Sequence, residues 1–295
     1  MTSAFTLLCA ASAPGSRTNE DAYGVWPAAA APCAAWVLDG VTGINDRALL
    51  PGPSDAAWFV AQVQDMLPAL LAAAPAAPIA DLLGALVQGL EQRQSASWLD
   101  PRGADGREAP SASFVLVRLL DDEIEIARLG DCLVLLESEE GAVRVLDSPV
   151  LQRIEAETKR AILDLQEAGI TGLAEIRERM MPMLRAQRHR RNQLDGYGVL
   201  AAEENCLSKI EIDRLPVRIC RRVLLVSDGY YRLVDHYNAM SDTQLIQETE
   251  RMGADALLKR LRAIEDGDAR SALYPRLKMS DDATAVLLGI DAVEG

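Results

Sequence analysis

Short apolar runs that end on a carboxylate are the most regular feature of the chain. Residues 35–40 read Ala-Trp-Val-Leu-Asp-Gly, between Pro32 and the glycine at position 40. A short apolar run with such boundaries favours a buried strand over a helix. Residues 223–229 repeat the design, Val-Leu-Leu-Val-Ser-Asp-Gly, and residues 5–13 form an earlier apolar run. We therefore predict three strands, two of which deliver an aspartate to their ends.

Longer stretches with helical periodicity separate these strands. Ser54 suits the N-cap of a helix over residues 55–74, and a second Ala/Leu-rich helix is predicted over 79–98. Residues 149–192 are predicted to form two helical segments divided around 169–172. Ser241 and Gln244 form a capping box before another helix, and a last helix is predicted at 255–265. The helices would pack as layers against a sheet.

Four short apolar runs occupy residues 113–120, 123–129, 132–137 and 142–146. Their connections are long enough for hairpins but too short for parallel crossovers, so they predict an antiparallel meander. Further strands are predicted at 206–212, 222–227 and 285–290, and a surface loop at 100–110. The alternation of sheet and helix predicts the α+β class, and no linker or repeat divides the 295 residues into more than one domain.

Composition narrows the set of functions. The net charge of -14 disfavours nucleic acid and anionic membranes as partners, since both are polyanions. The five cysteines are scattered, with no CxxC pair, which indicates reduced thiols in a cytosolic protein, and Cys132 is expected to be buried. The N-terminus lacks the basic segment of a signal peptide, and prolines interrupt the apolar region 66–87, so no membrane span is expected.

Acidic residues recur where apolar strands end. They are Glu20, Asp21, Asp39, Asp131, Asp228, Asp281 and Asp282. An unpaired carboxylate beside a core costs several kcal/mol, so a cluster of them needs a compensating cation. The only histidines, His189 and His236, lie outside these motifs, and oxygen ligands alone favour Mg²⁺ or Mn²⁺ over zinc. Two such ions bridged by one aspartate activate water for attack on phosphorus, which points to phosphoester hydrolysis.

The order of these motifs resembles the metal-dependent protein phosphatase family of the 2C type. The motifs are Arg17-Thr18-Asn19-Glu20-Asp21-Ala22, Val37-Leu38-Asp39-Gly40, Leu129-Gly130-Asp131, Val226-Ser227-Asp228-Gly229 and Asp281-Asp282-Ala283-Thr284. The resemblance covers about residues 3–291. It implies an antiparallel β-sandwich flanked by helical layers (αββα) and hydrolysis of phosphoserine or phosphothreonine at a dinuclear Mn²⁺ or Mg²⁺ centre.

The resemblance also implies roles for individual residues. Asp39 would bridge two metal ions, Gly40 would offer its carbonyl, and Asp228 with Asp281 would hold the second ion. Glu20 and Asp21 would orient water or bind metal directly. Asp131, together with Asp228, would form a third metal site seen in many bacterial members. Arg17 would bind the phosphate, as a bidentate guanidinium can.

Two parts of the chain depart from the family pattern. Val41 follows the first Asp-Gly, where some members carry a histidine that serves as general acid, and a valine cannot protonate a leaving group. Residues 149–192 lie where the family carries a variable flap. That stretch ends in a basic cluster, Arg185, Arg188, His189, Arg190 and Arg191. The cluster suits either a helix C-terminus or a docking surface for an anionic substrate.

Two other functions compete with an active phosphatase acting on phosphoproteins. A haloacid-dehalogenase-type phosphatase needs a nucleophilic aspartate two residues before Asp39, but position 37 is valine, and its parallel sheet conflicts with the predicted meander. A catalytically silent relative that binds metal or a phosphoprotein would have little physical reason to retain clustered carboxylates.

Overall fold

The structure is a computed structural model that describes residues 4–28, 31–41, 48–99, 109–269 and 271–290. Eleven strands are present in this part of the chain. They are β1 (Phe5–Ala13), β2 (Asp21–Trp26), β3 (Ala34–Gly40), β4 (Ser111–Leu120), β5 (Glu123–Leu129), β6 (Leu133–Glu137), β7 (Val143–Leu146), β8 (Leu200–Ala201), β9 (Glu211–Pro216), β10 (Arg222–Val226) and β11 (Ala283–Ile290).

Seven α-helices accompany the strands within the same residues. They are α1 (Asp55–Ala73), α2 (Ile79–Ser97), α3 (Pro149–Glu167), α4 (Leu173–Arg188), α5 (Asp228–Asp235), α6 (Asp242–Met252) and α7 (Ala254–Gly267). The predicted caps are present, since Ser54 accepts a hydrogen bond from the Ala57 amide and Ser241 forms a complete capping box with Gln244. These two caps fix the starts of α1 and α6 where the sequence predicted them.

The strands form two antiparallel sheets. One has the order β1-β11-β10-β6-β7, and the other has the order β2-β3-β4-β5-β9 with β8 paired to β4. Side chains such as Val37, Val115 and Val286 fill the space between the sheets. Helices α1 and α2 cover one outer face, and α5, α6 and α7 cover the other. The four layers confirm the predicted α+β class and the helix-flanked antiparallel sandwich.

Helix α1 is the one described helix whose length and composition would suffice to cross a membrane. Phe59, Val63 and Leu67 on this helix are fully buried against the sheet. An apolar face buried in this way is typical of a helix that covers a core.

Two sequence predictions for the strands need correction. The four apolar runs of residues 113–146 are not one meander, because β5 pairs with β4 while β6 pairs with β10 in the other sheet. Gly130, in the left-handed region at φ +95, carries the chain from one sheet to the other. Residues 204–209 form a 3₁₀ turn, so the strand predicted from position 206 begins at Glu211. The surface loop predicted at 100–110 lies mostly outside the described residues.

Helices α3 and α4 are the two helical segments predicted within residues 149–192. Their contact is a small apolar cluster centred on Ile162, Ile176 and Met180. Gln166 also donates a hydrogen bond to the Ser271 carbonyl, 3.0 Å away, and Leu277 packs against the same cluster. The pair of helices therefore packs against the segment that precedes β11.

Candidate active site

Three neighbouring strands, β2, β3 and β4, place polar side chains of the candidate site side by side. Asp21 on β2 lies opposite Asp39 on β3, and Asp39 lies opposite Ser113 on β4. Residues opposite one another in an antiparallel pair have Cβ atoms about 5 Å apart, so their side chains share one face. The sheet register thus brings two of the predicted acids together.

Asp131 joins these side chains through the turn between β5 and β6. The Ser113 hydroxyl donates a hydrogen bond to Oδ1 of Asp131, and the Asp131 amide donates to Ser113 Oγ at 3.2 Å. A Cβ on Gly130 would lie 2.3 Å from Ser113 Oγ. Only glycine at position 130 allows the turn to approach Ser113 so closely.

The second sheet contributes Asp228 and Asp281. Asp228 is the first residue of α5, directly after β10, and Asp281 precedes β11. Ser227 connects the two sheets, because its hydroxyl donates to Oδ2 of Asp21 at 2.7 Å and accepts the Thr284 amide at 2.9 Å. The acids from both sheets therefore meet at one end of the sandwich.

Both Asp-Gly pairs need glycine for close backbone contact rather than for a turn. A Cβ at Gly40 would lie 2.6 Å from the Glu20 carbonyl oxygen, and a Cβ at Gly229 would lie 1.9 Å from the Asp282 carbonyl oxygen. The amide of Gly40 donates to that Glu20 carbonyl at 2.9 Å. The glycines let the segments that carry the acids pack directly on one another.

Asp282 has a role that the sequence analysis did not assign. Its Oδ1 accepts the Gly15 amide and its Oδ2 accepts the Glu20 amide, both at 2.6 Å. Two charge-assisted bonds to backbone amides fix the loop before β2. Asp282 thus positions Glu20 and Asp21, whereas its neighbour Asp281 faces the other acids.

Burial and neighbouring carboxylates raise the pKa values of the three acids that lie where β3 ends, Asp21, Asp39 and Asp131. Burial and then the charges of Asp21 and Asp228 raise the pKa of Asp39 well above its usual range. Burial raises the pKa of Asp21 in the same way, against the opposing effect of the Ser227 hydrogen bond. Burial and Asp228 raise the pKa of Asp131 to about 7. Such shifts are typical of like charges that lack a cation.

Two cationic side chains lie next to Asp228 and Asp281. Arg232 Nη2 is 2.6 Å from Oδ2 of Asp281 and 3.3 Å from Oδ2 of Asp228, and Lys278 forms an ion pair with Asp281. Burial alone would raise the pKa of Asp228, but Arg232 and Lys278 outweigh it and lower the pKa. Arg232 was not predicted from the sequence because no helix was predicted after Asp228.

A profile of the family described as protein phosphatase 2C matches residues 13–264. The chain belongs to the protein phosphatase 2C family. This confirms the family that the five motifs resemble. No curated protein sequence matches the chain significantly.

Solved structures of bacterial phosphatases share the fold. The serine/threonine phosphatase PstP/Ppp of Mycobacterium tuberculosis is 16% identical with a TM-score of 0.57, and the alignment covers 99% of this chain and 100% of that one. The catalytic domain of PstP in complex with 2 manganese ions gives 16% and 0.56, with coverage of 99% and 100%. Stp1 of Staphylococcus aureus gives 14% and 0.56, with coverage of 99% and 98%. At these identities the likeness shows the fold alone.

The donor atoms of this phosphatase 2C chain suit a divalent cation at the β3 end. Asp21 Oδ1 is buried without a hydrogen-bond partner, and a buried carboxylate oxygen in that state is costly. Hard carboxylate oxygens are the ligands that Mg²⁺ and Mn²⁺ prefer. Among the described residues, however, no three acidic, thiol or imidazole groups form a ready-made ligand set, and Arg232 engages Asp228 and Asp281. A cation at this second pair has to displace or share those contacts.

Other predicted residues lie apart from the acids or in the core. Arg17 is exposed, and it forms no hydrogen bond or ion pair with the described residues. Cys132 is 2% exposed, and burial raises the pKa of its thiol well above the usual range, as expected for an unreactive cysteine. Of residues 41–47, which follow Gly40, only Val41 lies within the described residues.

The basic cluster at the end of α4 is not one surface. Arg185, His189 and Arg190 are exposed, whereas Arg188 and Arg191 are buried. The Arg191 guanidinium donates a hydrogen bond to the Ala109 carbonyl at 2.5 Å. Neither sequence interpretation, a helix terminus or a docking surface, describes all members of the cluster.

Proposed function

We propose that the chain is a metal-dependent phosphoserine and phosphothreonine phosphatase. The observation that carries the proposal is the convergence of Asp39, Asp131 and Asp228 from the end of β3, the turn after β5 and the start of α5, where each carboxylate shifts the pKa of another. Clustered carboxylates with perturbed pKa values favour a catalytic metal site over a structural one. Family membership supports a phosphoprotein as the substrate.

Asp39 and Asp21 would hold the metal at the β3 end, together with the Gly40 carbonyl, and Glu20 would orient water. Asp228 and Asp281 would hold a second Mn²⁺ or Mg²⁺, and Asp131 with Asp228 a third. Such ions, when bound, lower the pKa of water and stabilise charge on phosphoryl oxygens. Ser113 and Ser227 keep Asp131 and Asp21 oriented through the hydrogen bonds described above. Arg17 remains a candidate for phosphate binding.

Turnover of p-nitrophenyl phosphate and of a phosphopeptide with Mn²⁺ tests the proposal. We expect metal-dependent hydrolysis by the wild-type protein. The Asp39→Asn variant should lose at least about 100-fold in kcat/KM, since it removes the bridging charge while keeping the shape. Equal rates for the two proteins, or no metal-dependent hydrolysis, would contradict an enzymatic function.

One observation favours the second candidate, a silent module that binds metal or a phosphoprotein. Arg232 and Lys278 already neutralise Asp228 and Asp281, so part of the cluster is stable without metal. Calorimetry with Mn²⁺ beside the turnover assay separates the candidates. Mn²⁺ binding that requires Asp39, without any hydrolysis, would identify the silent module.

A further inference from the structure

Arg188 differs from the buried arginines of the structure that pair with a carboxylate. Arg118 pairs with Glu125, Arg222 with Glu137, and Arg276 with Asp268, at distances of 2.5 to 2.9 Å. Arg188 is only 7% exposed but forms no ion pair with any carboxylate of the described residues. Its one hydrogen bond there joins Nη2 to the Val41 carbonyl oxygen at 3.2 Å. Most of its donors have no partner among the described residues.

A buried guanidinium in this state calls for an anion. Burial and the neighbouring Arg191 lower the pKa of Arg188 to about 10, so the side chain still carries its charge at neutral pH. An unpaired buried charge is strongly unfavourable, and the chain compensates its other buried arginines with carboxylates or carbonyls. Glu20 lies close enough to raise the pKa of Arg188, but no described carboxylate forms an ion pair with Arg188, so a bound anion would complete the compensation of its charge.

The position of Arg188 indicates what that anion is. The residue lines a cavity of about 280 Å³ beneath α3 and α4, together with Val41, Tyr197 and Lys278. Val41 directly follows the Asp39-Gly40 pair, and Tyr197 is close enough to feel the charges of both Arg188 and Asp131. The cavity thus opens beside the acid cluster, where a phosphoryl group would approach it.

The rest of the cavity wall combines apolar and polar side chains. Leu151 and Ile154 of α3 and Leu184 of α4 line it, together with the polar Gln187 and the cationic Arg177 of α4. A phosphomonoester carried on an uncharged side chain suits such a mixture, because its dianion meets Arg188 while its carbon atoms meet leucine and isoleucine. The planar guanidinium can bind two phosphoryl oxygens at once.

We propose that Arg188 contacts the phosphoryl oxygens of the substrate, a role that the sequence analysis gave to Arg17. This inference rests on the proposed phosphatase function. It assigns the pair of helices α3 and α4 a direct part in substrate binding, because Arg188 is the last residue of α4.

The test compares four variants with p-nitrophenyl phosphate as substrate and inorganic phosphate as inhibitor. Arg188→Gln keeps a donor for the Val41 carbonyl but removes the charge, Arg188→Lys keeps the charge, and Arg188→Ala removes both. Arg185→Ala removes an exposed arginine one turn earlier on the same helix. Melting temperatures and Mn²⁺ affinities, measured alongside, show whether each variant is folded and loaded.

We expect Arg188→Gln and Arg188→Ala to raise KM and the phosphate inhibition constant at least about tenfold, as loss of a charge-assisted pair does. Arg188→Lys should restore part of that loss, and Arg185→Ala should stay within about twofold of wild type. If Arg188→Gln keeps the wild-type KM and inhibition constant, Arg188 only supports Val41 and the inference is wrong. An Arg188→Lys variant as impaired as Arg188→Ala, with wild-type melting temperature, would also overturn it.

Direct phosphate binding separates this inference from the proposed function. If the wild-type protein hydrolyses nothing, the phosphatase function fails, and calorimetry with inorganic phosphate and Mn²⁺ still decides the role of Arg188. Binding that Arg188→Gln abolishes would support the role. Equal binding by both proteins, or binding by neither, would contradict it.

Discussion

Asp39 and Asp228 occupy equivalent places in the sequence, each at the end of a buried strand and before a glycine, but the structure surrounds them differently. Asp39 faces other acids, and its pKa is raised. Asp228 begins α5, which places Arg232 one turn later at 3.3 Å, and its pKa is lowered. A strand that ends on Asp-Gly therefore fixes where a carboxylate lies, while the element that follows decides whether it has a cation.

The difference has a consequence for metal binding. At the β3 end the hydrogen bonds from Ser113 and Ser227 offset only part of the repulsion among the acids, so a metal ion that relieves the rest should bind favourably there. At the β10 end a metal ion has to compete with Arg232 and Lys278 for Asp281. Removing a charge should therefore change the Mn²⁺ affinity of the two ends in opposite directions. Loss of a carboxylate at the β3 end should lower it, and loss of a cation at the β10 end should raise it.

Replacing Arg232 by methionine should have the largest effect on this comparison. The variant leaves Asp228 and Asp281 with only Lys278, and breaking these partly buried ion pairs should cost about 3 kcal/mol of unfolding free energy in the metal-free protein, the lower end of the range for buried pairs. Mn²⁺ affinity should rise about tenfold, since the guanidinium no longer competes. Urea unfolding and calorimetry measure the two effects.

The matched control for Arg232 is Arg251→Met on α6, which removes an exposed arginine paired with Glu248. Surface pairs of this kind contribute little, so neither the stability nor the Mn²⁺ affinity should change measurably. Unchanged or weaker Mn²⁺ binding by Arg232→Met would show that Arg232 does not compete with metal.

Gly40 and Gly229, which follow Asp39 and Asp228, differ in how closely the backbone packs around them. An alanine Cβ at Gly229 would lie 1.9 Å from the Asp282 carbonyl oxygen, against 2.6 Å from the Glu20 carbonyl oxygen at Gly40. Because both obstacles are backbone atoms, we expect Gly229→Ala to cost about 3 kcal/mol and Gly40→Ala about 2 kcal/mol, as overpacking does. Urea unfolding of both variants gives the order.

Gly84→Ala in α2 is the control for these substitutions. Its Cβ would meet nothing within 4 Å, and alanine favours a helix interior over glycine by about 1 kcal/mol. The control should therefore be slightly stabilised. A Gly40→Ala variant less stable than Gly229→Ala would reverse the predicted order of close contacts.

Local patterns predicted the strands, the capped helices and the acids because each depends on a few neighbouring residues. Ser54 and Ser241 carry their caps in the adjacent sequence, and Asp39 ends a run of apolar residues. The passage of the chain from one sheet to the other at Gly130 could not be predicted from the length of the connection. A short turn can join two strands of one hairpin or two strands of different sheets.

The contacts that complete the site are not local. Ser113 meets Asp131 because of sheet register, and Arg188 meets the Val41 carbonyl 147 positions earlier in the chain. No pattern within a window of sequence encodes either contact. Arg232 is the exception, since a helix predicted after Asp228 would have placed it on the same face at i+4.

The pH dependence of stability tests the β3 end by itself and should give the smallest effect. In the metal-free protein the pKa of Asp131 is about 7, above its unfolded value near 3.8, so the folded state binds more protons between these pH values. Stability should therefore be greatest below about pH 4 for this group and fall as pH rises to 7, by about 2 kcal/mol after solvent screening.

Asp131→Asn should remove that part of the slope, and saturating Mn²⁺ should remove it in the wild-type protein, because a bound cation favours the ionised carboxylates. Urea midpoints from pH 4.5 to 8 measure the difference between the two proteins. A difference that stays constant with pH would mean that Asp131 is already compensated, and the contrast between the two strand ends would then rest on Asp39 and Asp21 alone.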